Sequence, residues 1–277
     1  KSWFIRAKLV LDRAEQQAGA NFRQRLAEKL TGIYVIVDPE ATQGRSMEFM
    51  TRASLEGGAK VIQLRDKLSD KGEQLEQANL LKNMCDEYDA LFFMNDAADV
   101  ARASNAHGLH IGQTDLPTQH ARSLLSPEQL IGRSNSGLEQ SLESHVQGVD
   151  YVAVGAIYAT TTMGKSGRSA LGPNEITRVK NAVPLPLVAI GGIGKSNIAD
   201  VVKAGADCLC IVSDVHMPGI SGFELLKELA NSETPKPVVL ITAYYDEAAV
   251  ARAKSAGAVC ILPKPFGADD LIACIEK

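Results

Sequence analysis

Residues 186–213 read PLVAIGGIGKSNIADVVKAGADCLCIVS and contain one complete unit of the fold. A β-rich run at 186–192 is followed by a helical pattern over 195–204, a glycine near the helix end, and a second β-rich run at 208–213. Strands joined by a crossover helix run parallel to each other. The stretch therefore predicts a strand–helix–strand unit of a parallel sheet.

Similar units precede it along the chain. The earlier β-rich runs are YVIVD (34–38), KVIQLRDK (60–67), LFFMND (91–96), GLHIG (108–112), LIGRS (130–134) and YVAVG (151–155). Helical patterns lie between the runs, among them 46–57, 71–88, 118–125 and 173–182. Strands and helices that alternate eight times favour an α/β fold of the (β/α)8 TIM barrel type, although periodicity alone leaves an open doubly wound sheet as an alternative.

The barrel pattern is flanked by segments of a different kind, so we expect three parts: an N-terminal helical extension (1–30), the barrel (31–213) and a C-terminal appendage (214–277). The extension carries a helical pattern that predicts two helices separated at Gly19. The appendage predicts, in order, a helix at 222–231, a strand at 238–243, a helix at 246–258, a strand at 259–266 and a helix at 268–277. We expect 222–231 to serve as the eighth outer helix of the barrel, and 238–243 to pair in parallel with 259–264 beside the barrel.

Composition excludes several classes of protein. The chain has 277 residues, 45% of them hydrophobic and 22% charged, with a net charge of −4, which is typical of a globular protein and gives no overall attraction to nucleic acid. No apolar run is long enough to cross a membrane, and the N-terminus lacks the apolar core of a signal peptide, so we expect a cytoplasmic protein. The five cysteines lack the spacing of a zinc site and are expected to be reduced core thiols.

Polar side chains follow the second, third and fourth predicted strands, where the chemistry of a barrel is located. Gln63, Arg65 and Lys67 alternate at the end of the second strand, and Asn95-Asp96 ends the third. Asp115 follows the fourth strand, so two carboxylates on neighbouring strands offer the oxygen ligands that Mg²⁺ prefers. Taken one at a time, these residues would equally suit a salt-bridged rim or surface aspartates. Together they predict an anion site with Mg²⁺ as cofactor.

A second set of residues predicts a separate phosphate site. The loop after the sixth strand is rich in hydroxyl groups and has a lysine, and glycine follows the seventh strand, where backbone N–H groups can approach an anion. The residues concerned are Thr160, Thr162, Lys165, Gly192, Val212 and Ser213. The expected partners are therefore small phosphorylated substrates.

From Gly32 to Ser213 the chain resembles the thiamine phosphate synthase family. The resemblance rests on VIQLRDK (61–67), FMNDAADVA (93–101), GLHIGQTDLP (108–117), LIGRS (130–134), VGAIYATTT (154–162), VAIGGI (188–193) and IVS (211–213), which follow the family order. It implies a (β/α)8 barrel that joins 4-amino-5-hydroxymethyl-2-methylpyrimidine diphosphate to hydroxyethylthiazole phosphate and releases pyrophosphate. Because pyrophosphate leaves first, such a site needs neutralised charge and a positioned nucleophile more than a strong base.

The resemblance also implies roles for individual residues. The diphosphate would be held by Arg65, Lys67 and Asn95, and the magnesium by Asp96 and Asp115. Gln63 would contact the pyrimidine, and Ser134 would lie near the pyrophosphate and the pyrimidine. Positions around the thiazole phosphate are Thr160, Thr162, Gly192, Val212 and Ser213. Catalytic roles are implied for Lys67, Ser134 and Lys165.

The sequence departs from the family pattern at three positions. The family usually has proline where Ala156 stands and histidine where Ser136 stands. Its lysine in the loop after the sixth strand usually lies two residues before Lys165, where this chain has Met163. Lys165 would reach the pyrophosphate only after a rearrangement of that loop.

After Ser213 the sequence resembles the second half of a response-regulator receiver domain. The matching stretches are SDVHMPGISGFELL (213–226), VVLITAYYDEAAVARAKSAGA (238–258) and ILPKPF (261–266). The resemblance implies that Asp214 is the phosphoacceptor, with Thr242 and Lys264 beside it, and that CLCIVSD (208–214) fits both families. The receiver's first half, with its acidic pair for magnesium, is replaced by barrel sequence, so the chain looks like a chimera.

Two alternatives to the synthase remain at this point. The first is a signalling module phosphorylated at Asp214, with a signalling partner or a second copy of the chain bound through the C-terminal segment; we expect only Asp38 to supply a carboxylate near it. The second is a barrel that binds thiazole phosphates without coupling them. Met163 favours the second, and Asp96 with Asp115 argues against it.

Overall fold

The computed structural model describes residues 2–42, 45–160, 170–194, 196–212, 239–242 and 260–263. Contacts divide the chain into two compact units, Lys1–Val215 and His216–Lys277. The predictions for 222–231, 246–258 and 268–277 lie outside the described residues, as do Thr162, Met163, Lys165, Ser213 and Asp214.

Eight parallel strands form a closed barrel in chain order. They are β1 (Gly32–Val37), β2 (Val61–Leu64), β3 (Leu91–Asn95), β4 (Gly108–Ile111), β5 (Leu130–Asn135), β6 (Tyr151–Val154), β7 (Leu187–Ile190) and β8 (Cys208–Val212). Closure is made by β1 and β8, which pair in parallel from Gly32 opposite Cys208 to Ile36 opposite Val212. The prediction of a TIM barrel is confirmed, and the open sheet is excluded.

Helices connect the strands on the outside of the barrel. Their bounds are α2 (Met47–Glu56), α3 (Lys71–Glu87), α4 (Ala98–Ala103), α5 (Thr118–Leu124), α6 (Leu138–Val146), α7 (Pro173–Ala182) and α8 (Ile198–Lys203). The start of α3 follows from sequence, because the Asp70 carboxylate accepts the N–H groups of Gly72 and Glu73. Ser46 caps α2 in the same way by accepting the N–H of Phe49.

The N-terminal segment forms one helix, α1 (Ser2–Ala27), so the prediction of two helices separated at Gly19 is wrong. Gly19 is buried against Pro127, and a Cβ at this position would lie 2.4 Å from the Cβ of Pro127. Glycine is therefore required for close approach of the helix to the barrel, and the helix continues through it. Arg23 strengthens the contact with an ion pair to Asp150 at 3.0 Å.

Aromatic side chains fill much of the barrel interior. Tyr34, Phe93 and Tyr151 are fully buried there and contact one another, with ring centroids 5.4 to 6.4 Å apart. Space for two of these rings comes from glycines on adjacent strands. A Cβ at Gly132 would lie 1.9 Å from Cζ of Tyr151, and one at Gly108 would lie 2.4 Å from Cε1 of Phe93. The outer faces of the strands pack against the helices in a second, larger apolar cluster.

In the second unit, β9 (Val239–Thr242) and β10 (Cys260–Pro263) pair in parallel. The predicted pairing of these two segments is confirmed.

No helix in the described part of the chain is long and apolar enough to cross a membrane. Cys85, Cys208 and Cys210 are buried, as expected for core thiols. Burial raises the pKa of both Cys85 and Cys208 to about 12, so these thiols stay protonated and unreactive.

Candidate active site

The predicted site residues that the structure describes all lie at the carboxyl ends of the strands. Some are among the last two residues of β2, β3, β5 and β8, and the others lie in the loops that follow β2, β3, β4, β6 and β7. Their side chains reach towards neighbouring strands. Gln63 and Asn95 are in direct contact, since the Gln63 amide donates to Oδ1 of Asn95 at 2.9 Å.

Arg65 lies between β2 and β1. Its guanidinium donates to the carboxylate of Asp38, which is 3% exposed, and lies 3.6 Å from Glu40. Asp38 itself is held in place because its other oxygen accepts the N–H of Glu40 at 3.0 Å. The ion pair therefore fixes the arginine in one position at the rim of the barrel before any anion arrives.

Lys67 pairs with Asp96, and Asp96 in turn hydrogen-bonds to Asp115. Burial raises the pKa of Asp96, and the neighbouring Asp115 adds to that effect while Lys67 opposes it. Burial also acts to raise the pKa of Asp115, but hydrogen bonds from Asp96 and from the N–H of Gly112 outweigh it, so this pKa is lowered. Of the two carboxyl groups, Asp96 therefore takes up a proton at a higher pH than Asp115 does.

The described residues contain no cluster of three or more His, Cys, Asp or Glu side chains arranged for a metal ion. Two adjacent carboxylates are nevertheless what Mg²⁺ uses when substrate phosphates and water complete its coordination. Asp96 and Asp115 fit this requirement because they lie on neighbouring strand ends and their carboxyl groups are in hydrogen-bond contact.

A chain of hydrogen bonds crosses the barrel interior and ends at Gln63 and Asn95. Ser134 is 2.9 Å from Nε2 of His110, whose Nδ1 is 2.8 Å from the hydroxyl of Tyr151. The two tyrosine hydroxyls are 3.0 Å apart, and that of Tyr34 donates to Oε1 of Gln63 at 2.7 Å.

Each hydroxyl has one proton, so the directions along this chain are linked. Because Tyr34 donates to Gln63, Tyr151 must donate to Tyr34 and His110 must donate from Nδ1 to Tyr151. Nε2 of His110 is then the nitrogen that accepts from Ser134. Burial raises the pKa of both tyrosines well above 10, which keeps them protonated as donors. The network therefore orients the Gln63 amide from across the barrel.

Sequence reasoning missed the roles of Tyr34, His110 and Tyr151. They occupy inward positions of β1, β4 and β6, and alternation along each strand places them on the barrel's inner face. A polar residue at an inward position of a predicted strand is the sequence signal that would have identified them, because a buried polar side chain needs a hydrogen-bond partner.

The phosphate end of the predicted site is described in part. Gly191 and Gly192 have φ values of +99° and +63°, and a Cβ at Gly192 would lie 2.7 Å from the carbonyl oxygen of Ala159. Glycine is thus required where this loop passes close to the loop that contains Thr160. Val212 ends β8, on the strand next to β7.

The sequence pattern of the thiamine monophosphate synthase family matches residues 33–215, and that of the response regulator receiver domain matches residues 193–276. Both matches include β8. A thiamine-phosphate synthase from Shouchella clausii is 39% identical over 186 residues, which are 66% of this chain and 87% of that protein. One from Thermosynechococcus vestitus is 37% identical over 224 residues, and the match spans 79% of this chain and 62% of the relative.

Solved structures agree with these sequence matches. A thiamine phosphate pyrophosphorylase from Pyrococcus furiosus superposes with a TM-score of 0.61 at 36% identity, covering 68% of this chain and 88% of that one. An N-acetylmannosamine-6-phosphate 2-epimerase from Clostridium perfringens has a TM-score of 0.53 at 13% identity, covering 70% of this chain and 91% of that one. The second likeness shows the barrel fold alone.

Proposed function

Because the chain belongs to the thiamine monophosphate synthase family, and is thus a transferase that makes thiamine phosphate, we propose how the mouth of its barrel performs that reaction. One substrate is the aminopyrimidine diphosphate and the other is the thiazole phosphate. The bond from the pyrimidine methylene to the diphosphate oxygen breaks, the thiazole nitrogen bonds to that methylene, and pyrophosphate leaves.

Arg65, Lys67 and Asn95 are proposed to hold the diphosphate. Both cations are paired in the substrate-free protein, Arg65 with Asp38 and Lys67 with Asp96. Of the two, Lys67 is the more mobile group, since 44% of its side chain is exposed, against 18% for Arg65. Arg65 therefore supplies a fixed contact and Lys67 an adjustable one, and together they stabilise the charge that builds on the leaving group.

Asp96 and Asp115 are proposed to hold Mg²⁺, because they are the adjacent carboxylates nearest Lys67. When bound, the ion would neutralise the diphosphate and make it a better leaving group. The protein's own part is to keep the two carboxylates together: Gly112 donates its N–H to Asp115 at 2.6 Å, and Lys67 pairs with Asp96.

Gln63 is proposed to recognise the pyrimidine, with Ser134 beside it. The hydrogen-bond chain through Tyr34, Tyr151 and His110 connects these two residues from opposite sides of the barrel. The Gln63 oxygen accepts from Tyr34 and one amide N–H donates to Asn95, so the second N–H is held in a fixed orientation towards a heterocycle. A cationic pyrimidine methylene would then be held over the barrel centre for attack by the thiazole nitrogen.

The thiazole phosphate is proposed to bind at the loops after β6, β7 and β8, where Gly192 brings backbone close to the loop of Thr160. Thr162, Ser213 and the backbone of Val212 would complete this site, and Lys165 would reach the pyrophosphate. The geometry of the described part supports the proposal, since φ-positive glycines expose N–H groups to an anion.

The observation that carries the proposal is the linked set Lys67, Asp96 and Asp115 at the barrel mouth. The test is a coupled assay for thiamine phosphate and pyrophosphate, with both substrates, at a series of Mg²⁺ concentrations. We expect magnesium-dependent product, and a loss of at least about 100-fold in kcat/KM for Asp96→Ala.

Asp99→Ala is the matched control, because Asp99 is three residues away, 66% exposed and paired with Lys71 outside the mouth. This variant should keep wild-type activity. Activity that survives in Asp96→Ala, or that is independent of magnesium, would contradict the proposed site. Thiazole phosphate binding without product would instead support a non-coupling barrel.

The match to a receiver domain at 193–276 favours a second candidate function for the C-terminal segment, phosphorylation at Asp214. Incubation with acetyl phosphate and Mg²⁺, followed by intact-mass measurement, should show one added phosphoryl group that Asp214→Asn lacks. An unchanged mass would remove this candidate.

A further inference from the structure

Arg133 lies on the outer face of β5, next to the inward-facing Ser134, and only 11% of its side chain is exposed. A buried guanidinium needs hydrogen-bond acceptors, and it finds them on two different elements. One amino group donates to Oε1 of Gln147, just after α6, at 2.8 Å. The other donates to Oε1 of Gln113, in the loop after β4, at 3.0 Å.

The contact with Arg133 decides how Gln113 is oriented. With its oxygen turned to the guanidinium, the amide nitrogen of Gln113 donates to the backbone carbonyl of Ser134 at 2.5 Å. It also approaches Oδ1 of Asn135 at 3.4 Å. If the amide were reversed, its nitrogen would face the Arg133 cation and its oxygen would face a carbonyl, so both contacts would become repulsive.

Gln113 belongs to the same short loop as Asp115. The carboxylate of Asp115 accepts the N–H of Gly112 at 2.6 Å, so Gly112 to Asp115 form a closed turn with Gln113 inside it. Tying the Gln113 side chain to β5 therefore restricts the whole turn.

We propose that Arg133 is a positioning residue for the metal site: through Gln113, it ties the turn that carries Asp115 to β5. This inference rests on the proposed function, in which Asp96 and Asp115 hold Mg²⁺. Arg133 touches neither substrate nor metal. Its effect reaches the site by way of the Gln113 amide, and partners of this kind commonly contribute 10- to 100-fold to metal affinity.

The test compares Arg133→Met, Gln113→Ala and the double variant in the full-length chain. The measured quantities are the Mg²⁺ concentration for half-maximal rate and the KM for thiazole phosphate. We expect Arg133→Met to raise the Mg²⁺ requirement about 10-fold while KM for thiazole phosphate changes less than about 2-fold. Because Arg133 acts through Gln113, the double variant should require no more Mg²⁺ than Gln113→Ala alone.

A second readout does not depend on activity. Hydrogen exchange in the metal-free protein should speed up over residues 112–117 in both single variants. Arg122→Met is the matched control, because Arg122 is also a partly buried arginine, 20% exposed, but pairs with Asp150 at the other end of the barrel. It should lower stability without changing either the Mg²⁺ requirement or exchange at 112–117.

The outcomes separate the two proposals. Two results would overturn the positioning role without contradicting the metal site. In the first, the effects of Arg133→Met and Gln113→Ala add in the double variant. In the second, Arg133→Met behaves like Arg122→Met. If Asp115→Asn leaves the Mg²⁺ requirement unchanged, the metal site and the positioning role both fail. Should Arg133→Met not fold, Arg133→Lys, which keeps one donor, is expected to give an intermediate Mg²⁺ requirement.

Discussion

At the scale of single residues, the barrel mouth is organised by pairs of opposite charge and by one hydrogen-bond chain. The two cations to which we assign the diphosphate are already paired, Arg65 with Asp38 and Lys67 with Asp96. In that proposal, the substrate must partly replace the carboxylate that holds each cation. Such a site exchanges one set of charge-assisted hydrogen bonds for another, which limits the desolvation cost of binding.

Tyr34 offers a direct test of the interior hydrogen-bond chain. In Tyr34→Phe the Gln63 oxygen loses its donor and the Tyr151 hydroxyl loses its acceptor, both in a fully buried setting. We expect the free energy of unfolding to fall by about 1–3 kcal/mol, measured by urea denaturation. KM for the pyrimidine diphosphate should also rise, because the Gln63 amide is no longer held in one orientation.

Tyr88→Phe is the control for that change, since Tyr88 is exposed on the outside of the barrel. It should alter neither stability nor KM. A Tyr34→Phe variant with wild-type stability and unchanged KM would show that the chain does not orient Gln63.

His107 predicts a pH dependence of stability. Its Nδ1 accepts the N–H of Phe92 at 2.9 Å, and burial, helped by the Lys82 cation, lowers the pKa of His107 to about 4. An unfolded histidine titrates near pH 6.5, so between about pH 6.5 and 4 the unfolded state binds a proton that the folded state does not. Stability should therefore fall by about 3 kcal/mol as the pH drops through this window, and no further below it.

The measurement is urea denaturation of the wild type and His107→Asn from pH 7.5 to 4. Asparagine can still accept the Phe92 N–H but does not titrate, so the variant should lose this part of the pH dependence. Parallel curves for the two proteins would mean that His107 is not responsible.

At the scale of elements, His107 belongs to a pattern that repeats at three strand entries. The side chain of the residue just before each of β4, β6 and β8 accepts a backbone N–H from the first or second residue of the preceding strand. His107 accepts from Phe92, Asp150 from Ile131, and Asp207 from Leu187. Each aspartate also pairs with a cation of an outer helix, Arg122 or Lys180. These contacts tie strands and helices together at the amino-terminal end of the barrel, away from the site.

The two aspartates should differ in their contribution to stability. Asp150 is 12% exposed and faces both Arg23 and Arg122, so removing it leaves two partly buried cations without an acidic partner. Asp207 is 32% exposed and faces only Lys180 among the pairs described. We expect Asp150→Ala to cost about 3 kcal/mol and Asp207→Ala about 1 kcal/mol in chemical denaturation. Equal losses would contradict the ranking by burial.

At the scale of the whole molecule, two family patterns meet in one chain. The synthase match ends at residue 215 and the receiver match begins at 193, so the overlap includes β8, a strand of the closed barrel. In the structure β8 pairs with β1 and β7, and the two further strands described, β9 and β10, pair with each other. The receiver match therefore includes the sequence of β8, which is a strand of the barrel, whereas β9 and β10 form a separate two-stranded sheet.

Binding of the product at the barrel mouth should stabilise the unit that contains it. Mg²⁺ with pyrophosphate, at about 100 times its dissociation constant, adds about 2.7 kcal/mol to the free energy of unfolding, which raises Tm by about 5 to 10 °C for a unit of this size. Differential scanning calorimetry should show this shift in wild type and Asp99→Ala and lose it in Asp96→Ala. A shift retained in Asp96→Ala would place the binding site elsewhere.

Much of this protein was determined by its sequence alone. Eight β-rich runs with helices between them predicted the barrel, because strand and helix periodicities reflect which face of each element is buried. The strand-end positions of Gln63, Asn95, Asp96 and Asp115 also followed, since parallel strands bring their carboxyl ends to one rim. Both family resemblances were present in the order of short motifs.

Only the tertiary structure decided which side chains meet across the barrel. Tyr34 and Tyr151 are 117 residues apart, and their hydrogen bond depends on closure of the barrel and on the stagger of its strands. Gly19 shows the same limit, because a glycine within a helix indicates a break until the partner it packs against, Pro127, is known. Periodicity records the burial of each residue along its own element. It does not indicate which distant residue packs opposite. For this reason, the hydrogen-bond network at Gln63 and the contacts of Arg133 could be identified only from the tertiary structure.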